Sequence, residues 1–295
     1  MTEFAEAIRV GEMLFLRSRR EQLRPEQVGL PSFGRRRTPG LRREELAALA
    51  GLSVEYLERL ERGRDTNPSH AVLAALAEAL QLSDSEKQHL ATLAMKRHSA
   101  ALLPPPRQVS DDTRPTVRTL LDNLDPTPAS VFGPTCNVVA WNSAWEAVVR
   151  PLGLLDEESP NLIRYHFQNP MARGIFTQSD WAAKADELVG WLRAAQPDWG
   201  SADEFRALVD DLNVVSEFTS RWAAHPVAVC TRPSGTSFSH PDAGILGITT
   251  EVLLVGEAGQ WLQMWIPADE RTASAIKAFA RATPPHAPIG GSAHG

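Results

Sequence analysis

Within the stretch LRREELAALAGLSVEYLERLERGR, residues 41–64, three side chains have the types that can read a base pair. The guanidinium of Arg59 can donate twice to guanine O6 and N7, the carboxylate of Glu55 can accept from a cytosine amino group, and the methyls of Val54 can touch a thymine methyl. Spaced i and i+4 on a helix, Glu55 and Arg59 equally suit a plain surface ion pair, so the spacing leaves both roles open. Arg42, Arg43, Ser53, Tyr56, Arg62 and Arg64 surround them. Their types bind phosphate oxygens, contacts that fix register without reading sequence. The run Arg35-Arg36-Arg37 could clamp a phosphate backbone or enter a minor groove, or it could be a solvated loop.

Other chemistry finds little support. The chain has no Gly-x-Ser-x-Gly, no glycine-rich phosphate loop and no His-Glu-x-x-His, so no catalytic site is expected. Cys136 beside a histidine would be a nucleophile pair, but two cysteines, Cys136 and Cys230, make neither a disulfide framework nor a zinc site. No metal or cofactor is expected. No apolar run is long enough to span a membrane and no secretory signal is visible, so a cytoplasmic protein is expected. Net charge is −6, unsuited to a nucleic-acid ligand until the chain is divided. Residues 1–100 hold 16 basic and 14 acidic side chains, and residues 101–295 hold 14 and 22. That asymmetry suggests a nucleic-acid-binding half beside a half with another task.

The elements that must position these side chains follow from local pattern. Two short helices, Arg42 to Ala50 and Ser53 to Arg62, have to cross sharply so that the second can enter a major groove. Ala47 and Ala50 allow close approach, Gly51 permits the turn, Ser53 can cap the second helix and Gly63 can end it. Leu46, Leu49, Leu57 and Leu60 are expected to fill the space between them. Further helices are expected over Ile8 to Leu23, Ala71 to Leu80 and Ser83 to about Lys96. Together they make an all-α helix-turn-helix domain over 1–97. The triplet Pro104-Pro105-Pro106 marks a Pro-rich linker at 98–110.

All eight tryptophans fall between Trp141 and Trp265, which signals a second core of different composition. Helices are expected over Asp112 to Asn123, Ser143 to Val149, Asp180 to Ala195, Ser201 to Leu212, Val215 to Ala224 and Glu270 to Arg281. Strands are expected over Pro128 to Gly133, Asn137 to Trp141, Val227 to Thr231, Thr236 to His240, Ile245 to Val255 and Trp261 to Ile266, with a turn at Glu257-Ala258-Gly259. This mixture reads as an α+β domain with an antiparallel sheet over 111–283, and 284–295 reads as a disordered tail. Such a domain can enclose an apolar cavity. Phe132, Trp141, Trp145, Tyr165, Phe167, Trp222 and Trp265 could line it or form a plain aromatic core. Arg164, Arg221 and His225 could meet a carboxylate headgroup or serve the surface.

VGLP (28–31), GRRRTPGLRREELAALAGLS (34–53) and YLERLERGR (56–64) resemble the helix-turn-helix of xenobiotic-response-element-type repressors, and more closely the N-terminal domain of MmyB-like transcription regulators. The long basic insertion from Arg24 to Leu41 is part of that likeness. TPASVFGPTCNVVAWNSAWEAVV (127–149) and NLIRYHFQNPMARGIF (161–176) resemble the ligand-binding domain of the same family. The stretches Ser237–Ser239 and Gly247–Glu251 depart from it, lacking the usual basic and aromatic-acidic residues. The resemblance implies a PAS-like second domain whose pocket takes a fatty-acid-like molecule. Double-stranded DNA is the partner expected from the helix-turn-helix, and because one lightly basic domain would bind it weakly, a homodimer is expected to place two reading helices about one DNA turn apart. An acidic second domain that binds a protein partner is the alternative, and a Cys/His enzyme a distant third.

Overall fold

One glycine, one serine and one buried carboxylate set the geometry of the two central helices of the first unit. In the computed structural model, which describes residues 3–31, 40–64, 68–99, 112–200, 202–228, 234–255 and 259–282, α2 (Arg43–Ala50) stops where Gly51 takes φ +66°. An L-residue with a side chain is strained in that left-handed conformation, and glycine is not. The Ser53 hydroxyl then accepts the Tyr56 backbone N–H at 3.1 Å, capping α3 (Val54–Glu61). Residues 100–110 of the expected linker, the tail, Arg35 to Arg37 and Glu257-Ala258 lie outside the described residues, while 98 and 99 still belong to a helix.

Contacts divide the chain into two compact units, and each is discontinuous in sequence. The first comprises 1–107, 189–201 and 220–229, and the second 108–188, 202–219 and 230–295. The first contains α1 (Glu3–Gln22), α2, α3, α4 (His70–Ala79) and α5 (Asp84–Ser99). Their apolar stripes meet in one core that includes Phe15, Leu16, Leu46, Leu57, Leu60, Leu76 and Leu90. Leu49 was expected there but is exposed. At about 100° per residue it lies well off the stripe made by Leu46, Ala47 and Ala50.

Glu61, 5% exposed, binds this unit together. Arg20 of α1 donates to both of its carboxylate oxygens, at 2.5 and 3.1 Å, and Arg43 of α2 donates to one of them at 2.7 Å. A third Arg20 hydrogen bond, 2.9 Å long, goes to the Leu41 carbonyl. The chain entering α2 therefore passes hard against α1. At Gly40 a Cβ would stand 2.1 Å from the Glu21 carbonyl oxygen, which only glycine avoids.

The second unit holds a five-stranded antiparallel sheet in the order β2-β1-β5-β4-β3. The strands are β1 (Ala129–Phe132), β2 (Val138–Trp141), β3 (Ser234–His240), β4 (Gly244–Val255) and β5 (Gln260–Pro267). The register places Phe132 opposite Trp261, Ser130 opposite Gln263 and Thr250 opposite Trp265. Because side chains alternate between faces, these residues share one face with Ile248. Ala129, Val131 and Leu262 point the other way, where α6 (Pro115–Leu124) packs Val117 and Leu121 on them. On the first face α7 (Ser143–Val149) and α13 (Glu270–Ala282) bury Val148 and Ile276 with Phe238, Leu246 and Ile248.

The remaining helices are α8 (Leu162–Gln168), α9 (Pro170–Ile175), α10 (Gln178–Trp199), α11 (Asp203–Leu212) and α12 (Ser216–Ala223). The division between units falls inside α10. The strand expected over Val227 to Thr231 does not form in its described part, residues 227–228. Val227 instead packs on the helical core of the first unit.

Removing one partner of a buried ion pair strands the other charge, which costs about 3–5 kcal/mol. Glu61→Ala should therefore lose stability of that order in denaturant unfolding, and Arg20→Met combined with Glu61→Leu should lose clearly less.

A second prediction concerns pH. His89 of α5 sits edge-on to Phe15, 5.2 Å between centroids. Burial, then the charges of Arg193, Arg19 and His225, push its pKa down to about 4. The unfolded chain thus binds a proton that the folded chain refuses. Stability present above about pH 6.5 should fall as pH drops towards 4, by up to about 3 kcal/mol. His89→Asn should flatten the thermal-melting curve across that pH window.

Candidate functional site

The first candidate site is the outward face of α3. Leu57, Leu60 and Glu61 point inward, while Glu55 and Arg59 are exposed. Val54 is half-buried and packs on the core beside Tyr56, so only part of it is presented. The Arg59 guanidinium lies over the Tyr56 ring at 5.3 Å, a cation–π contact. Arg62 pairs with Glu58 at 2.7 Å, and Arg42 and Arg64 are exposed at the ends of the two helices. Arg43 is half-exposed, its Nε held by Glu61. The Ser53 hydroxyl serves as the α3 cap.

The second candidate site is a cavity of about 80 Å³ on the inner face of the sheet. Of the aromatic residues singled out in the sequence, Phe132, Trp145, Tyr165 and Trp265 line it. Leu152, Leu188, Phe238 and Ile248 complete its apolar wall, with Lys184, His166, Gln263 and Thr250 as its polar members. A second hollow of about 370 Å³ shares Lys184, Thr236 and Ile248 with it and adds Asp180 and Glu187.

A network of short polar side chains places Trp145. Asn142 is buried. Its carbonyl oxygen accepts the backbone N–H groups of Ala129 and Trp145, both at 3.0 Å, and its amide donates to the Thr127 carbonyl at 2.8 Å. Asp125 accepts from the Ser143 hydroxyl at 2.6 Å and the Ala144 N–H at 3.1 Å. The first turn of α7 is thereby tied to β1. Trp145 then meets Phe132, Trp141 and Trp265 at about 6 Å between centroids. Opposite, Asn161 caps α8 and so directs Tyr165, whose hydroxyl donates to the Leu152 carbonyl at 2.7 Å. Burial pushes the Tyr165 pKa up to about 12. His166 stacks on Trp181 at 4.7 Å, with Nε2 3.0 Å from the Trp181 carbonyl oxygen.

Other residues singled out lie elsewhere. Trp141 gives its indole N–H to Glu146 at 3.1 Å, and Phe167 packs edge-on to Trp181 and Phe218. Arg164 pairs with Asp211 at 2.5 Å. Trp222, Arg221 and His225 belong to the first unit. There Arg193, 5% exposed, stacks on the Trp222 ring at 3.4 Å and donates to the Trp222 carbonyl. Burial pulls the Arg193 pKa down to about 9. His240 is also occupied: Nε2 lies 3.1 Å from the Val148 carbonyl oxygen, and Nδ1 accepts the Asp242 N–H. Lys184 and Leu188 were not foreseen as wall residues. One lysine on an Ala-rich helix gives no sequence signal that it faces a cavity.

Among the described residues no cluster of His, Cys, Asp and Glu could hold a metal ion, and no helix is long and apolar enough to cross a membrane.

Comparison with known proteins agrees with this geometry. Residues 14–90 match a helix-turn-helix domain. Over 51 residues the chain is 49% identical to the HTH-type transcriptional regulator y4dJ of Sinorhizobium fredii, a match that covers 17% of this chain and 65% of that protein. Residues 113–279, more than half of the chain and including the whole cavity wall, match the MmyB-like transcription regulator ligand-binding domain. The chain therefore belongs to the MmyB-like transcription regulators, with a helix-turn-helix DNA-binding domain followed by a ligand-binding domain.

Proposed function

We propose that this protein binds a DNA operator as a cytoplasmic homodimer, reads it through Val54, Glu55 and Arg59, and adjusts that binding when an apolar or amphipathic small molecule occupies the cavity of its second unit. The observation that carries this reading is one chain holding both an exposed, capped α3 and an aromatic-walled cavity. The known family supplies the class of protein, and the side chains supply the roles. Arg42 and Arg64, at the ends of the two short helices, suit phosphate. Arg59 suits a base edge. The basic excess of the first hundred residues is only two charges, so one subunit binds weakly. Coupling two subunits raises the effective concentration of the second reading helix, provided the two helices reach half-sites about one DNA turn apart.

Ligand control follows from linkage. A ligand changes operator affinity only in proportion to its preference for one of the two DNA-binding states, and DNA must change ligand affinity by the same factor. A protein-partner role for the second unit would instead give saturable binding of a second chain with no small molecule needed.

Arg59→Ala should lose discrimination at one base pair by about 1–3 kcal/mol, measured as the ratio of operator to single-substituted operator affinity. Arg42→Ala should weaken all duplexes alike and reduce the slope of log K against log salt by about one. Equal losses on operator and random DNA for Arg59→Ala would remove its base-reading role. Titrating operator binding across saturating cavity ligand tests the sensing role, and an unchanged affinity rejects it.

A further inference from the structure

Resting on the reading of α3 as the base-reading helix, we infer that Arg19, with Ser18 and Gln22, is a positioning residue for that reading. It fastens α1 to the carbonyls of Ala224 and His225, and α1 in turn holds α3. All of these residues belong to the first unit. Residues 224 and 225 nevertheless fall within the region that matches the ligand-binding domain, so that region supplies a structural part of the DNA-binding unit.

The first observation is a convergence of donors. The Ser18 hydroxyl donates to the Ala224 carbonyl at 2.8 Å, and the Gln22 amide to the same carbonyl at 2.5 Å. The Arg19 guanidinium donates to the His225 carbonyl at 2.5 Å, to the Ala224 carbonyl at 3.2 Å, and to Glu86 of α5 at 2.5 Å. Carbonyls at a helix end have no partner within the helix, and α12 stops at Ala223. Three side chains on two carbonyls exceed what ending α12 requires. Because they occupy one face of α1, they also fix its rotation.

The second observation is that the stretch carrying these carbonyls is itself held. Arg193 of α10 stacks on Trp222 and donates to its carbonyl. Val227 packs on the helical core. At Gly190 a Cβ would stand 2.7 Å from the Ala228 Cβ, so the chain lies directly against α10. Between them His225 takes φ +52°, a left-handed conformation that is costly for a residue with a side chain and persists where the surroundings over-determine it.

The third observation is adjacency. Arg20, the next residue of α1, donates to both oxygens of Glu61 in the last turn of α3. Successive residues of a helix point about 100° apart, so α1 is gripped on one side and grips α3 on the next. A slide or rotation of α1 that slackened the first contact would be carried by Arg20 to Glu61.

The test uses the full-length protein and an operator selected from random duplexes. One readout is hydrogen exchange of the α3 amides in the free protein. The other is the ratio of affinity for the operator to affinity for a single-substituted operator, which the fraction of folded protein does not alter. Arg19→Met, and separately Ser18→Ala with Gln22→Met, should speed α3 exchange and lower the ratio about two- to tenfold, the range of coupled neighbours. Arg19→Lys, which keeps a cationic donor, should restore part of both. Arg17→Met, which breaks the exposed Arg17–Glu21 pair of the same helix, should leave both unchanged. Arg20→Met should reproduce the effect, and adding Arg19→Met to it should change α3 exchange little further. Faster exchange confined to residues 220–228, with α3 and the ratio unchanged, overturns the inference and leaves Arg19 as a plain helix cap. Full additivity of Arg19→Met and Arg20→Met also overturns it. An α3 exchange that responds as expected, with Arg59→Ala losing equally on operator and random DNA, upholds the positioning of α3 and rejects base reading instead.

Discussion

The Glu61 carboxylate is the constraint on which the outward face of α3 depends. It closes the C-terminal turn of α3, yet it points inward, and its two oxygens take hydrogen bonds from α1 and from the start of α2. Hydrophobic packing alone would hold the three helices together at several crossing angles, since apolar contact has no direction. A bidentate guanidinium–carboxylate pair does have direction. It fixes the rotation of α3 about its own axis, and that rotation decides whether Glu55 and Arg59 face outward. The Arg20 bond to the Leu41 carbonyl extends the same constraint to the segment entering α2. Such a pair is weak evidence for stability in itself, because desolvating both charges offsets much of their attraction. Its contribution here is the orientation of α3.

The second unit solves an analogous problem with neutral groups. Asn142 and Asp125 tie the first turn of α7 to β1, which lays Trp145 across the sheet face carrying Phe132 and Trp265. Three large rings meeting at tilted or edge-on angles cannot fill space as tightly as aliphatic side chains that interdigitate. Leu188 and Ile248 close the remaining sides without occupying the centre. The void lies among rigid rings carried by the sheet, by α7 and by α8.

How much of this was legible in the sequence varied with the range of the interaction. Gly51, Ser53 and Gly63 act on their immediate neighbours, so a turn, a cap and a helix end could be assigned from them. Short runs rich in strand-forming residues between turn residues located β1, β2, β4 and β5 closely. Leu49 misled because a short helix has few residues with which to define its stripe. Val227 misled because an apolar residue in extended chain looks the same whether its partner is a strand or a helical core. Arg164 and Trp222 find partners in Asp211 and Arg193, 47 and 29 residues away, which no local pattern shows. The Glu61 clamp shows the same limit from the other side. Its arginines stand 41 and 18 residues earlier in the chain, and nothing local distinguishes Glu61 from the exposed Glu55.

A small cavity is no obstacle to regulation. The best very small ligands gain up to about 1.5 kcal/mol per heavy atom, so a ligand of about seven heavy atoms has a ceiling near ~10 kcal/mol and will normally realise a fraction of it. Control of an operator needs much less. A coupling of about 1–3 kcal/mol changes DNA affinity about 5- to 150-fold. Rigid aromatic walls favour such coupling. Because a core packed to crystal-like density responds to volume changes of a single methylene, an occupant of a tight cavity either fits the arrangement present or selects another. A larger, softer pocket would absorb the same ligand by local side-chain adjustment and transmit less of its binding free energy.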